Sequence, residues 1–165
     1  MKKSWVFVAI IPALGLGIVS AFQTPTPLLW NQTESAPKGL YWLTKNEITI
    51  NSWAVVSADA SSTKWISANR YLASGWPMIK RVRGRAGDRV CRQGLEIFIN
   101  NEVAASALDV DSMGQKLPDW QGCLTLNEDE IFLLNDHPRS LDGRYFGPTR
   151  QEDLDGPARL VWPSE

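Results

Sequence analysis

The chain of 165 residues is 44% hydrophobic and 21% charged and contains eight tryptophans, so it can bury a core, which excludes a disordered or fibrous protein. The chain has a formal net charge of −1 and therefore lacks the excess of basic residues that is typical of nucleic-acid-binding proteins. We expect no nucleic-acid partner. One histidine and two cysteines are too few for an ordinary zinc site, so we expect no metal and no other cofactor.

The N-terminal segment has the pattern of a membrane anchor. Lys2 and Lys3 precede residues 5–22, an uncharged stretch that as a helix would cross most of the hydrocarbon core of a lipid bilayer. Because basic residues stay on the cytoplasmic side, we expect residues 1–22 to be a single-pass anchor in the inner (cytoplasmic) membrane, with the rest in the periplasm. The alternative is a cleaved signal peptide, since residues 19–21 (Val-Ser-Ala) form an acceptable cleavage site.

The rest of the chain predicts a linker and one mainly β domain. Three prolines among polar residues between positions 24 and 37 predict a linker, residues 23–30, before a domain spanning residues 31–165. Residues 62–74 predict one short helix, with Ser62 as its cap. Strands are predicted where apolar and β-branched runs lie between Gly, Asn and Asp residues, at 39–43, 48–56, 78–83, 89–91, 95–100, 131–134 and 160–162.

Two cysteines flank a long irregular insertion, residues 106–122. An even pair in an exported domain predicts a disulfide between Cys91 and Cys123. Two buried, reduced cysteines that pack as small apolar side chains are the alternative.

A first candidate site is the turn that contains Ser35. The turn is framed by Pro37 and Gly39 and follows the linker directly. Such a turn exposes a side chain together with its backbone N–H, which a nucleophile beside an oxyanion hole requires. Ordinary turn chemistry produces the same pattern, so the spacing alone leaves both interpretations open.

A second candidate is Lys80. The alternation of a strand places Lys80 on the same face as Met78 and Val82, with Ile79 and Arg81 opposite. If that face is the inner one, desolvation lowers the pKa of the lysine and makes it a competent general base. In the alternative, the side chain extends from a strand edge into solvent.

A third candidate is the polar loop of residues 135–148, which follows an apolar strand and could orient a neighbouring base. A surface loop in which Asp142 and Arg144 pair weakly in solvent is the alternative. The only histidine, His137, also leaves open a Ser-His-Asp arrangement with Asp136 or Asp142.

The three segments together resemble the signal peptidase superfamily that uses a Ser-Lys dyad, and most closely its TraF-type conjugative-transfer branch. The motifs that carry the resemblance are N-x-T-x-S-x-P-x-G-L-Y at 31–41, I-K-R-V-x-G-x-x-G-D-x-V at 79–90 and S-x-D-x-R-Y-F-G-P at 140–148. The resemblance implies a signal-peptidase-like β fold after a single N-terminal transmembrane helix. By the same resemblance, Ser35 is the nucleophile, Lys80 is the general base, and Thr33 assists the Ser35 backbone N–H in the oxyanion hole.

The resemblance also assigns supporting residues. Ser140 matches a residue that hydrogen-bonds the lysine, and Asp142 with Arg144 matches an ion pair. The chain departs from the leader peptidases at Gly143, where many of them carry serine, and at residues 136–139, where they carry an Asn-Arg-Asp-Asn type of sequence. This departure argues against a housekeeping role more than against the dyad.

We therefore expect a membrane-anchored serine endopeptidase that processes exported precursors. The TraF-type resemblance implies pilin subunits of a conjugative or type IV secretion system as substrates, processed by leader removal or by peptide cyclisation. A general type I leader peptidase is the alternative within the same chemistry. An anchored assembly factor without catalytic activity is the alternative of another class.

Overall fold

Seven antiparallel strands form the larger of two sheets in the computed structural model, which describes residues 28–164. The strands of this sheet are β1 (Leu28–Asn31), β2 (Gly39–Leu43), β3 (Trp53–Val56), β4 (Met78–Gly84), β9 (Glu130–Leu133), β10 (Thr149–Arg150) and β11 (Leu154–Pro163). Their order across the sheet is β1-β2-β11-β3-β4-β9-β10. The last long strand, β11, therefore lies between two strands from the first part of the chain.

Four strands form the second sheet, in the order β7-β6-β5-β8. They are β5 (Arg89–Gln93), β6 (Glu96–Ile99), β7 (Glu102–Ser106) and β8 (Gly122–Thr125). Cys91 and Cys123 lie directly opposite each other on β5 and β8 and form a disulfide. The predicted disulfide is confirmed, and it joins β8, the strand that follows the insertion, to β5.

The helices are short. Helix α1 (Ser61–Ala68) ends before the predicted residue 74, because Arg70 has a left-handed backbone (φ 65°) and the Asn69 side chain donates to the Trp65 carbonyl. The residue before the helix is Ala60, so Ser62 is not the cap. A second helix, α2 (Gly143–Phe146), and a 3₁₀ turn, Gln151–Asp153, lie where no helix was predicted.

The mainly β prediction is confirmed, with differences at the strand ends. β3 begins at Trp53 rather than at residue 48, because Asn51 has a positive φ and the Ser52 amide donates to the Thr49 carbonyl to close a turn. β1 begins at Leu28, within the expected linker. Residues 107–121 have one isolated bridge, between Val110 and Lys116, as expected for an irregular insertion.

Apolar side chains cover both faces of the larger sheet. On one face, the cluster that includes Met78 and Val82 packs against Ile66 of α1. On the other face, Ile79 packs with Tyr41 and neighbouring residues. Since β4 is covered on both sides, Lys80 near its middle lies in the interior of the protein.

The outer end of this sheet carries an exposed aromatic face, defined here by Leu28, Trp30, Trp42 and Trp162. Leu28 is paired with Trp42, and Trp30 and Trp162 are both paired with Leu40, so these side chains project from one side of the sheet. Trp30 and Trp42 are each 43% exposed and Trp162 is 68% exposed.

The predicted anchor, residues 1–22, lies outside the described residues, and none of the helices within 28–164 has the length and apolar character to span a bilayer.

Candidate active site

One buried amide holds the turn that carries Ser35. The Asn31 Nδ2 donates to the carbonyl oxygens of Thr33, Ala36 and Pro37 at 3.0–3.1 Å. Its Oδ1 accepts from the Thr33 amide at 3.1 Å and from the Thr33 hydroxyl at 2.7 Å. Asn31 belonged to the sequence motif without an assigned role, and the structure shows that its side chain shapes the turn.

The hydroxyls of Ser35 and Thr33 are in contact. The two oxygens lie 3.3 Å apart. Because Thr33 donates its proton to the Asn31 carbonyl oxygen, the Ser35 hydroxyl is the donor in this contact. Thr33 therefore touches the Ser35 side chain, and the expected action of Thr33 on the Ser35 backbone N–H stays a prediction.

Lys80 lies in the interior, 5% exposed, on the Met78 and Val82 face of β4. Its Nζ donates to the Ser140 hydroxyl at 3.0 Å. Burial lowers the pKa of Lys80 to about 8, although the Asp142 carboxylate acts in the opposite direction. About a tenth of this amine is neutral at pH 7, far more than for a lysine with the ordinary pKa, and the alternative of a lysine extended into solvent is excluded.

Asp142 and Arg144 form a buried ion pair. The Arg144 Nε lies 2.8 Å from Asp142 Oδ1, and their side chains are 2% and 0% exposed. Arg144 also donates to the carbonyl oxygens of Asn135 at 2.6 Å and Pro138 at 3.1 Å. The pair is therefore an internal brace of the polar loop rather than a weak contact in solvent.

Asn135 connects this brace to the strand of the lysine. Its Oδ1 accepts from the Arg81 amide at 2.8 Å, and its Nδ2 donates to the Ile79 carbonyl at 3.2 Å, so it bonds to the peptide groups on both sides of Lys80. Its own amide donates to Asp142 Oδ2 at 3.0 Å. Asn135 had no role assigned from the sequence, where its only signal is that it is a polar residue directly after an apolar strand.

Ser35 and Lys80 line one cavity of about 500 Å³, called the catalytic cavity below. Within residues 28–164 no hydrogen bond joins Ser35 Oγ to Lys80 Nζ; each is bonded to a different hydroxyl. The walls also include apolar side chains, among them Leu29, Ile66, Leu72, Trp76 and Met78. The cavity thus combines an accessible hydroxyl, a desolvated amine and a surface suited to apolar side chains.

The structure does not assemble a Ser-His-Asp arrangement from His137. His137 lines the same cavity, but its Nδ1 accepts from the Arg139 amide at 3.2 Å. A triad would instead need this nitrogen to donate to a carboxylate. Asp136 is paired with Arg83, and Asp142 is paired with Arg144.

Gly143 has no room for a side chain. A Cβ atom at this position would lie 2.7 Å from the Leu133 carbonyl oxygen and 3.0 Å from the Phe132 ring. A serine here would not fit without a shift of α2 or β9, because the two elements pack closely.

Comparison with known proteins gives three findings. The sequence profile of the family described as signal peptidase, peptidase S26, matches residues 2–163. Two plasmid transfer proteins TraF from Escherichia coli are 29% and 28% identical over 135 residues, which cover 75% of this chain and 76% of each relative. A crystal structure of a signal peptidase I from Enterococcus faecalis aligns with a TM-score of 0.40 and 19% identity, over 69% of this chain and 98% of that chain.

Proposed function

The chain belongs to the signal peptidase family S26, a family of serine peptidases, and we propose that Ser35 and Lys80 are its catalytic dyad. This membership and the TraF relatives confirm the resemblance drawn from the three motifs. The observation that carries the proposal is the shared cavity, in which an accessible serine hydroxyl and a buried lysine with a pKa of about 8 face the same space.

The reaction follows from these two groups. Neutral Lys80 accepts the proton of Ser35, whose Oγ attacks the scissile carbonyl carbon, while the Ser35 N–H stabilises the oxyanion with help from Thr33. The C–N bond then breaks, and the Lys80 ammonium gives its proton to the leaving amine. Water, activated by the neutral lysine, releases the acid from Ser35, or a peptide amine accepts the acyl group instead.

The remaining polar groups hold the base in position. For the first proton transfer, Ser35 must exchange its hydrogen bond with Thr33 for one with Lys80. Ser140 restricts the position of the lysine amine through the 3.0 Å hydrogen bond, and the ion pair of Asp142 and Arg144 braces the loop that carries Ser140. In this proposal the three residues act by positioning.

We place the enzyme at the inner membrane, with residues 1–22 as the anchor and the domain in the periplasm. The aromatic face supports this placement, because tryptophan rings favour the interface between lipid and water and these rings project from the sheet whose first strand, β1, begins a few residues after the proposed anchor. The TraF relatives, which are plasmid transfer proteins, support a pilin of a conjugative or type IV secretion system as substrate, with leader removal or cyclisation as the outcome.

Acylation of the full chain in detergent tests the dyad directly. We expect a serine-reactive acylating probe to label the wild type on Ser35, as located by peptide mass mapping. The variant Ser35→Ala should not be labelled, whereas Ser61→Ala, which removes an exposed serine from the start of α1 outside the catalytic cavity, should be labelled like the wild type. Equal labelling of Ser35→Ala would reject Ser35 as the nucleophile, and an unlabelled wild type would favour the assembly factor.

Candidate pilin precursors then test the substrate class. Incubation with the full chain should shorten the precursor, and the intact mass of the product distinguishes the two outcomes, because a cyclised product is one water lighter than the hydrolysed one. Processing of unrelated leader peptides at the same rate would favour a general leader peptidase.

A further inference from the structure

A second cavity, of about 220 Å³, adjoins the catalytic cavity. Three residues, Tyr71, Arg139 and Leu141, line both cavities. The two spaces therefore meet at a wall formed on one side by Arg139 and Leu141, the residues on either side of Ser140.

The direction of proton transfer says which part of a substrate reaches this wall. After attack by Ser35, the leaving amine must lie within hydrogen-bonding reach of Lys80, which protonates it. Lys80 is itself bonded to Ser140 at 3.0 Å. The polypeptide that follows the scissile bond thus begins beside Ser140, next to the entrance of the second cavity.

The irregular insertion supplies the outer part of the second cavity. Leu108, Asp111, Ser112 and Leu117 come from residues 106–122, and Tyr145 of α2 completes the lining. This wall is held firmly: the Tyr145 hydroxyl accepts from the Leu108 amide at 3.0 Å, and Leu117 is buried against Tyr145. The lining is mostly apolar, which suits an apolar side chain.

The charge at the junction favours an acidic partner. Arg139 is exposed, and no carboxylate of residues 28–164 forms an ion pair with it. Asp111 is the acidic residue of the second cavity, but its oxygens already accept from the Tyr71 hydroxyl at 2.6 Å and from the amides of Met113 and Gln115 at 2.8 Å. The guanidinium of Arg139 is therefore the group with donors to offer to a ligand.

We propose that the second cavity binds the polypeptide on the amine side of the scissile bond, with an apolar side chain in the cavity and an acidic group on Arg139. This inference rests on the proposed function. An amine that attacks the acyl group on Ser35 follows the path of the leaving amine in reverse. The same cavity therefore also selects the acceptor when the acyl group is transferred to a peptide rather than to water.

Partition of a small acyl group tests this binding apart from the chemistry. The nitrophenyl ester of acetylalanine has no peptide on its leaving side, so release of nitrophenol reports acylation of Ser35 alone. Three acceptors are then compared by product mass: the amides of Ala-Leu-Glu, Ala-Leu-Lys and Ala-Gly-Glu. For the full-length wild type, we expect the ratio of peptide product to hydrolysed product to be about fivefold higher with Ala-Leu-Glu than with either other acceptor.

Two variants and one control separate the contributions. In Arg139→Gln the ratio of peptide product to hydrolysed product should no longer distinguish Ala-Leu-Glu from Ala-Leu-Lys, and this ratio is read independently of the rate of nitrophenol release because partition follows acylation. Leu108→Trp, which fills the cavity at a partly exposed position, should lose the preference for leucine. Arg85→Glu, an exposed arginine outside both cavities, should behave as the wild type.

The outcomes distinguish this inference from the function on which it rests. Absence of nitrophenol release from the wild type would reject the proposed function. If nitrophenol is released but the ratio of peptide product to hydrolysed product is the same for all three acceptors, the proposed role of the second cavity is overturned and the proposed function is not. An unchanged preference for Ala-Leu-Glu in Arg139→Gln would also overturn it, because the acidic group would then be bound elsewhere.

Discussion

The two members of the proposed dyad are held in opposite ways. Lys80 is 5% exposed in the middle of a sheet covered on both faces, whereas Ser35 is half-buried in a turn shaped by the side chain of Asn31. A lysine becomes a base through desolvation, which needs a packed interior. A nucleophile must be reached by a polypeptide, which needs an accessible turn. We therefore expect the surroundings of Lys80, called the base side below, to determine the pH dependence of activity and the stability of the domain. The Ser35 turn, called the nucleophile side, should determine how readily a substrate polypeptide reaches the site.

The largest expected effect comes from breaking either side. Lys80→Ala and Ser35→Ala should each lower kcat by about a thousandfold or more, and the double variant should be hardly worse, because the two groups act as one unit. Lys80→Arg should be equally inactive, since a guanidinium remains protonated. Steady-state cleavage of a precursor measures this. A double variant that shows the product of the two single losses would mean that the residues act independently.

The disulfide joins β5 to β8, in the sheet that follows the Lys80 strand β4 along the chain, and neither cysteine lines the catalytic cavity. Replacing Cys91 and Cys123 with serine should lower the free energy of unfolding by about 3 to 4 kcal/mol, as closure of a loop of this length predicts. Urea unfolding measures the loss, and the rate of Ser35 acylation per folded molecule should remain unchanged. A large fall in that rate with unchanged stability would contradict this assignment.

The base side should also control the pH profile. Lys80 is active when neutral, so kcat should rise with pH through about 8 and be lost as the amine becomes protonated below it. Asn135→Asp places a carboxylate beside the peptide groups that flank Lys80 and favours the ammonium, so the midpoint should rise by about one pH unit. The charged groups that act on Lys80 in the wild type are Asp142 and Arg144.

Two controls make this comparison specific. Asn127→Asp adds the same charge at an exposed position outside both cavities and should leave the midpoint unchanged. Asn31→Ala loosens the Ser35 turn and should lower kcat at every pH without moving the midpoint. A shift in Asn31→Ala as large as in Asn135→Asp would erase the distinction between the two sides.

The smallest effect is expected at the exposed edge of the Ser35 turn. Lys38 and Glu34 form an ion pair at 3.2 Å, and both side chains are well exposed to solvent. Such pairs contribute little to stability, so Lys38→Ala should leave the Tm and kcat unchanged within error. A clear loss of activity with an unchanged Tm would show that Lys38 contacts the substrate.

The sequence predicted the parts of the site that depend on local pattern. The alternation correctly placed Lys80 on the same face as Met78 and Val82 but left open whether that face is buried, and the motif match placed Ser140 beside the lysine. The roles of Asn31 and Asn135 were not predictable in this way. Asn135 accepts a hydrogen bond from the Arg81 amide, 54 residues away in sequence. A local sequence pattern does not predict a hydrogen bond between a side chain and a backbone group so far apart.

The strand ends show the same limit. β11 was predicted as residues 160–162 but spans Leu154–Pro163, because its N-terminal half, which includes Gly156 and Pro157, is held in extended form by pairing with β3. Helix α2 was missed because four residues are too few for a periodic signal, and its packing against Leu133 depends on Gly143. Tertiary contacts decide these elements.

The position of β11 also sets an order of events during folding. The hairpin of β1 and β2, which carries the Ser35 turn, is joined to β3 and to the Lys80 strand β4 through β11. On a growing chain, the sheet that fixes nucleophile against base cannot close until residues 154–163 have been synthesised. Such pairing over long sequence separation is slow. A chain truncated before residue 154 would carry both members of the proposed dyad and should still be inactive, so under this proposal the topology delays proteolysis until the domain is complete.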